Sequence, residues 1–424
     1  MPAALHHREP AEGARLLHAQ SFATVAAIVI FLATYAVIAL GRLPGFRVDR
    51  AGAALIGASL MVASGDMTMA KAYKAIDFDT IVLLLGMMIV IANLRLSGFF
   101  ALVGAWVARH AHHPLTLLSA IVLVSGVFSA FLVNDTICLV LTPLVLELVT
   151  RLRRNKVPYL LAIAMASNVG STATITGNPQ NMMIGSFSAI RYGDFLAALA
   201  PVALAGLAVT LVLIAAAYRQ EFWGRQTLEA GLEDVPFNKA LVRKSVIVTA
   251  LMVVAFFIVA PPAKVAIVAG ALLLLTRRLK PERIYREIDW SLLLLFAGLF
   301  IVVAGLEKAV LTPEALASAG QLRLDRIPVL SAVAAFLSNL VSNVPAVLVL
   351  KPFIQQLPDQ RTEWLTLAMA STLAGNFTIL GSVANLIVVE RARQGGVEIG
   401  FWTYFKLGAP LTLITIAIGA WWLS

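Results

Sequence analysis

The chain alternates long apolar runs with short polar loops, and the runs have the length of membrane-crossing helices. At roughly 20 apolar residues per crossing, full spans are predicted near Phe22–Leu40, Ala51–Ala63, Thr80–Leu96, Leu160–Ile190, Phe195–Tyr218, Ser245–Ala260, Val265–Thr276, Ser291–Leu306, Leu365–Val389 and Phe405–Leu423. Two further apolar regions, 115–149 and 328–353, carry polar residues and turn formers at their centres. Asn134, Asp135 and Thr136 mark one centre, and Ser342, Asn343, Val344 and Pro345 mark the other. Each region is predicted to be a re-entrant hairpin, two half-helices that enter and leave on one side.

Two of the spans are themselves interrupted. The stretch SNVGSTATITGNPQN, Ser167 to Asn181, packs hydroxyls, amides, glycines and a proline into an otherwise lipid-like segment. Within hydrocarbon every backbone N–H and C=O needs an internal partner, so a broken helix is tolerated only where it is buried in protein or lines a wet cavity. The segments 160–190 and 365–389 are therefore predicted to be broken helices whose gaps form a binding site.

The pattern also repeats. Ile76, Asp77 and Phe78 with the apolar run through Gly86 match Ile288, Asp289 and Trp290 with the run through Gly298. Ser129 and Asn134 match Ser338 and Asn343, and MASNVGSTATITGNPQN from Met165 matches MASTLAGNFTILGSVAN from Met369, which sets Gly177 on Gly381 and Asn181 on Asn385. The offset is roughly 205 to 210 residues, drifting from 212 at the first match to 204 at the last. Lys and Arg concentrate in the loops 41–50, 151–156, 219–244, 277–286 and 391–393, which the positive-inside rule makes cytoplasmic, with both termini outward. The two hairpins then enter from opposite sides. The predicted fold class is an all-α polytopic membrane protein, an inverted-repeat secondary transporter with about ten spanning helices, two re-entrant hairpins and two broken helices. Its expected organisation is a polar N-terminal tail 1–20, a first half 21–218, a cytoplasmic linker 219–244 and a second half 245–424.

Composition agrees with this picture and narrows it. With 60% hydrophobic and 13% charged residues, and a mean hydropathy of +0.87, the chain lies outside the soluble range. The run lengths also exclude a membrane barrel. The net charge of +10 reflects topology signals in the loops, so no nucleic-acid partner is called for. A single cysteine, Cys138, leaves no intramolecular disulfide, and the histidines show no metal-ligand spacing. No cofactor or metal is expected. There is no phosphate-binding loop, so use of ATP would require a soluble ATPase partner. The run at Phe22–Leu40 has no small-residue cleavage site after it and is expected to remain as the first span.

The candidate site residues follow from the gaps. In the first half they are Asn134, Asp135, Thr136, Ser171, Thr172, Thr174, Gly177, Asn178 and Asn181; in the second they are Ser342, Asn343, Asn376, Thr378, Gly381, Ser382 and Asn385. Amides and hydroxyls both donate and accept, half-helix N-termini favour electron-rich oxygens, and unwound carbonyls can hold Na⁺. Asp135 is the one acidic residue expected deep in the membrane, either exchanging a proton or capping its own half-helix. Gly177 and Gly381 allow close backbone approach and positive φ, or serve helix packing. Cys138 and the pair Met182 and Met183 read as packing residues. A lone acid and a lone thiol with no histidine partner do not make an enzyme.

Four segments carry a family resemblance: Val133 to Thr136 with Leu141, Thr142 and Pro143; GNPQN from Gly177; SNVP from Ser342; and GSVANLIV from Gly381. On these the chain resembles the ion transporter superfamily, and within it the arsenite efflux permease group (ArsB) and the NhaD-type Na⁺/H⁺ antiporters. The dicarboxylate members usually carry Ser-Asn-Thr at both tips, and this chain departs from that pattern. The resemblance implies proton-coupled efflux of arsenite or antimonite across the inner membrane, with Asp135 exchanging the proton, by elevator-type movement, often in a homodimer. Na⁺/H⁺ antiport, Na⁺-coupled anion or dicarboxylate transport, and a channel subunit of an anion-pumping ATPase are the alternatives.

Overall fold

A computed structural model describes residues 10–41, 45–65, 67–223, 237–259, 261–310 and 322–424, and every regular element among them is helical. The first half contains α1 (Pro10–Leu40), α2 (Arg50–Ala63), α3 (Met69–Ala75), α4 (Phe78–Ser97), α5 (Phe99–His110), α6 (Pro114–Phe131), α7 (Asn134–Arg151), α8 (Lys156–Ser171), α9 (Pro179–Ser188), α10 (Tyr192–Ala217) and α11 (Arg219–Phe222). The second contains α12 (Lys239–Ile258), α13 (Pro262–Leu274), α14 (Pro281–Tyr285), α15 (Trp290–Val310), α16 (Ile327–Val341), α17 (Asn343–Ile354), α18 (Gln360–Ala374), α19 (Val383–Gln394) and α20 (Phe401–Leu423). Positions 1–9 of the expected tail and 224–236 of the expected linker lie outside the described residues.

Helices α4, α6, α10, α12, α15 and α20 are long and apolar enough to cross a membrane, and the Thr24–Leu40 part of α1 with α2, α13, α16 and α17 adds shorter apolar helices. The predicted hairpins are α6 with α7 and α16 with α17, each joined at its polar tip. The predicted broken helices are α8 with α9 and α18 with α19, each pair separated by a short 3₁₀ turn. The surface helix α5 had no counterpart among the predicted spans. It follows α4 directly because Gly98, at φ +88°, turns the chain in a conformation that side-chain-bearing residues avoid.

Two compact units divide the chain, and each draws on both halves of the sequence. One comprises Met1–Asp77 and Ser291–Gln321. Within it α2 and α15 meet through small residues: a Cβ added to Gly298 would lie 2.6 Å from the Ala54 carbonyl carbon. The other unit, Phe78–Trp290 and Leu322–Ser424, contains the same contact between α4 and α13, where a Cβ on Gly86 would lie 2.5 Å from the Ala266 carbonyl carbon. Gly86 and Gly298 are the pair aligned by the sequence repeat. Between lipid-exposed helices there is little hydrophobic drive to associate, so close backbone approach at glycine supplies the contact.

The core of the larger unit is built around α8 and α18. Every residue of α8 from Pro158 to Ser171 and every residue of α18 from Glu363 to Ala374 is buried. Backbone contacts hold them: a Cβ on Gly170 of α8 would sit 2.1 Å from the Gly126 carbonyl oxygen of α6, and one on Gly408 of α20 would sit 2.2 Å from the Asn376 carbonyl oxygen. The two broken helices run antiparallel. Gly395, after the end of α19, fits against Leu146 of α7 near the start of α8, while Trp364 at the start of α18 lies against Phe187 at the end of α9.

Candidate functional site

The first break begins where α8 ends at Ser171. The chain then extends at Thr174 (φ −136°, ψ 164°), makes one 3₁₀ turn over Ile175–Gly177, and restarts at Asn178. Asn178 is a strong N-cap: its side chain accepts from the Asn181 backbone N–H at 2.9 Å, and Pro179 follows at the position where a missing N–H costs nothing. The orphaned carbonyls of the gap are collected by Asn181, whose Nδ2 donates to Ser171 O at 3.1 Å and Thr174 O at 3.0 Å. Gly177 is required by close approach, since a Cβ there would lie 2.2 Å from Ser171 O. Neither Gly177 nor Gly381 has a positive φ.

The second break repeats the backbone path and the carbonyl-collecting amide of the first, with a different cap. Thr378 is extended (φ −134°, ψ 166°), Ile379–Gly381 form the 3₁₀ turn, and Ser382 caps α19 by accepting from Ala384 N at 3.2 Å. Asn385 Nδ2 donates to Gly375 O at 2.7 Å and Thr378 O at 3.1 Å, the equivalents of Ser171 O and Thr174 O.

The two breaks are joined by reciprocal hydrogen bonds. Asn168, one turn before the first gap, donates through Nδ2 to Asn376 Oδ1 at 2.9 Å and Asn385 Oδ1 at 3.0 Å. Its Oδ1 accepts from Asn134 Nδ2 at 3.1 Å and Ser382 Oγ at 3.0 Å, so all four bonding positions of the amide are used. Thr372, the repeat equivalent of Asn168, faces the first break. It accepts from Asn178 Nδ2 at 3.2 Å and Gln180 Nε2 at 3.1 Å and donates to Asn181 Oδ1 at 3.4 Å. Asn168, Thr372 and Gln180 were not among the candidates read from the sequence. The signal available was the repeat itself, which sets the polar pair Asn168 and Thr372 at one register position inside otherwise apolar half-helices.

Other candidates have local partners. Ser171 and Thr172 donate to Asn168 O at 2.9 and 3.3 Å, and Thr174 donates to Ala130 O at the end of α6. The hydroxyls of Thr136 and Thr378 lie half-buried, without side-chain hydrogen bonds among the described residues. At the first tip, Asp135 sets its carboxylate against the backbone N–H of Ala384 in the first turn of α19. It therefore faces the opposite repeat's half-helix rather than capping its own. At the second tip, Ser342 adopts φ +77°, ψ 159°, a region almost reserved for glycine.

Among the buried oxygen atoms near these tips that have no hydrogen-bond partner, Asn339 Oδ1 included, four fall at two equivalent pairs of the repeat: Asn134 Oδ1 with Asn343 Oδ1, and Ser129 Oγ with Ser338 Oγ. An unpaired buried polar atom costs about 1–3 kcal/mol. Among the described residues, the fully buried polar side chains at the breaks and tips are amides and hydroxyls, with no Lys or Arg.

Comparison with known proteins places this architecture. The chain is similar to an uncharacterized transporter of Mycobacterium tuberculosis, 32% identical over 423 residues, covering 94% of this chain and 97% of that one. It is likewise similar to the silicon efflux transporter LSI3 of rice (Oryza sativa subsp. japonica), 30% identical over 449 residues, covering 89% and 92%. The YdaH transporter of Alcanivorax borkumensis shares the fold, with a TM-score of 0.59 at 13% identity over 96% and 97% of the two chains. The sequence profile of the CitMHS citrate transporter family matches residues 35–374, so the chain belongs to that family of multi-pass secondary transporters within the ion transporter superfamily.

Proposed function

We propose that this transporter exports a small, neutral, polyhydroxylated acid, with arsenite or antimonite as its substrate and silicic acid as a chemical relative, in exchange for protons. The observation that carries the reading is the set of unpartnered oxygens at the tips. Asn134 Oδ1 and Asn343 Oδ1 are acceptors only, so they call for an O–H donor or a cation, and a carboxylate ligand would repel them. Arsenous, antimonous and silicic acids are uncharged near neutral pH and present O–H groups in several directions. The silicon efflux of the rice relative is in keeping with that chemistry. A citrate-like polyanion, the substrate in the family's description, would meet no buried Lys or Arg here.

Asp135 is the proton carrier of this proposal, because a lone carboxyl at a membrane-level tip is costly unless it is used. Alternating access by elevator-type movement of the hairpins and breaks, insertion in the inner membrane with both termini outward, and a homodimer complete the reading. The same acceptor oxygens also suit Na⁺, so Na⁺-coupled anion transport or Na⁺/H⁺ antiport is the second reading. Purified protein in vesicles carrying a pH gradient separates them. Arsenite, antimonite or silicate is expected to dissipate the gradient without nucleotide. Dissipation by Na⁺ alone, or by citrate only with Na⁺, would replace this proposal with the second reading, and a strict need for ATP and a soluble partner would make the chain a pump subunit. Asp135→Asn is expected to keep the fold and lose the pH dependence of transport; an unchanged pH profile would move the coupling elsewhere.

A further inference from the structure

The end of the larger unit at which the basic loops meet contains a recess of about 470 Å³ between α7, the start of α8 and the end of α19. Arg151, Lys156 and Arg391 line it together with Glu147, Gln394 and Gly395, and Pro143 and Leu146 form its apolar side. The charges are unbalanced. Arg151 is paired with Glu147 at 2.6 Å, Arg391 donates to the neutral amide of Gln394 at 3.2 Å, and Lys156 has no ion pair among the described residues. Two positive charges thus face one recess, Lys156 from the start of α8 in the first repeat and Arg391 from the last turn of α19 in the second.

The recess is also graded by depth. Pro143 lies about 12 Å along the helix from Arg151, so the basic residues sit at the level of lipid headgroups while the apolar side reaches into the hydrocarbon. Gly395 shapes the wall, because it lets Leu146 pack where a Cβ would be only 2.2 Å away. Basic pockets of this kind between helices on the cytoplasmic side suit an anionic headgroup with its acyl chain below.

We propose that this recess binds the phosphate-bearing headgroup of an anionic phospholipid. Lys156 and Arg391 hold the phosphate, and Pro143 and Leu146 receive the first part of the acyl chain. One lipid then bridges the two repeats at the cytoplasmic face. The occupant is a lipid rather than a soluble anion because the binding surface continues from the charged rim onto apolar side chains.

The test uses the full chain purified in mild detergent, with bound lipid counted by native mass spectrometry and the thermal midpoint recorded in parallel. Phosphatidylglycerol is expected to bind and raise the midpoint where equimolar phosphatidylcholine does not. Each cation near the surface contributes about fivefold in affinity, so Lys156→Gln with Arg391→Gln is expected to weaken phosphatidylglycerol binding about thirtyfold. Arg393→Gln, an exposed cation on the same helix outside the recess, is expected to change it less than twofold, and Lys156→Arg with Arg391→Lys is expected to retain binding. Undiminished binding by the double glutamine variant, or an equal loss in Arg393→Gln, would overturn the site in favour of diffuse surface charge. Reproduction of the midpoint shift by inorganic phosphate alone would overturn the lipid as occupant.

Discussion

The two helix breaks and the two hairpin tips stand under the same repeat, yet the breaks keep their backbone geometry where the tips do not. Asn181 and Asn385 close their gaps through equivalent carbonyls, and Thr174 and Thr378 share backbone angles within a few degrees. The tips diverge instead: Val133, Asn134, Asp135 and Thr136 face Ser342, Asn343, Val344 and Pro345. The first tip turns with ordinary angles at Val133, whereas the second needs φ +77° at Ser342. The difference separates two jobs. A break in hydrocarbon must satisfy its own backbone, and few side-chain arrangements do so. On the proposed function, a tip that carries ionic coupling in one half would leave the other half free of it, and Asp135 against Val344 is the sequence asymmetry on which that proposal draws.

The strongest way to break the comparison is to fill the gaps. Gly177→Ala puts a methyl 2.2 Å from a backbone oxygen that has no rotamer to give way, and is expected to cost about 3 kcal/mol or more, read as loss of folded protein. Gly381→Ala meets the Asn339 side-chain oxygen at 2.8 Å and Gly375 O at 2.9 Å, a milder clash of about 1–2 kcal/mol. Equal tolerance of the two substitutions would show that the closer backbone approach at Gly177 carries no extra cost.

Next in size are the reciprocal bonds. Asn168→Leu removes the partner of Asn134 Nδ2, of Asn385 Oδ1 and of the Ser382 O–H and leaves Asn376 Oδ1 with the Tyr404 hydroxyl alone, and is expected to cost about 3 kcal/mol in denaturant or thermal unfolding. Thr372→Val is milder, about 1–2 kcal/mol, because Asn178 and Asn181 keep bonds to Ser171. If Thr372→Val proved the more damaging, the junction would rest on the first break instead.

Much of this arrangement was legible in the sequence for a physical reason. Lipid forbids unsatisfied backbone, so a dense cluster of polar residues and glycines inside an apolar run marks a gap, and both 3₁₀ turns lie where the residues Gly177 and Gly381 were aligned. The junction was less legible. Asn168 and Thr372 sit one turn inside regular helix, where nothing local distinguishes a bridging amide from a buried core residue. The strain at Ser342 was invisible too, because a serine carries no sign of its φ. The division into two units that exchange helices between halves depends on contacts such as Gly86 to Ala266, and no spacing reports those.

A smaller effect sharpens the contrast between the tips. Ser342→Gly relieves the backbone strain and is expected to raise stability by about 1 kcal/mol, whereas Val133→Gly removes a buried side chain as well as loosening the unfolded chain and is expected to lower it. Thermal midpoints of the two variants decide the matter. If Ser342→Gly also slows transport, the strain serves the movement of that hairpin.

The smallest effect concerns the starts of the two broken helices, where the repeat sets Tyr159 opposite Glu363. Tyr159 has a complete polar setting: its hydroxyl donates to Glu221 Oε1 at 3.0 Å, and Glu221 pairs with Arg154 at 2.7 Å. Glu363 is equally buried, yet its Oε2 has no partner. Burial first, and then the nearby Asp359 and Asp325, push its carboxyl up to about 7. A carboxyl with a raised value in the folded state favours folding fully below its unfolded value of about 4.5, and that contribution is lost as the pH rises through 7. The wild-type thermal midpoint is therefore expected to fall between about pH 5 and pH 8. Glu363→Gln is expected to flatten that part of the curve and to be the more stable protein at pH 8, while Tyr159→Phe is expected to lower the midpoint without changing its pH slope in this range. A wild-type slope that survives Glu363→Gln would assign the titration to another group and make the two starts alike.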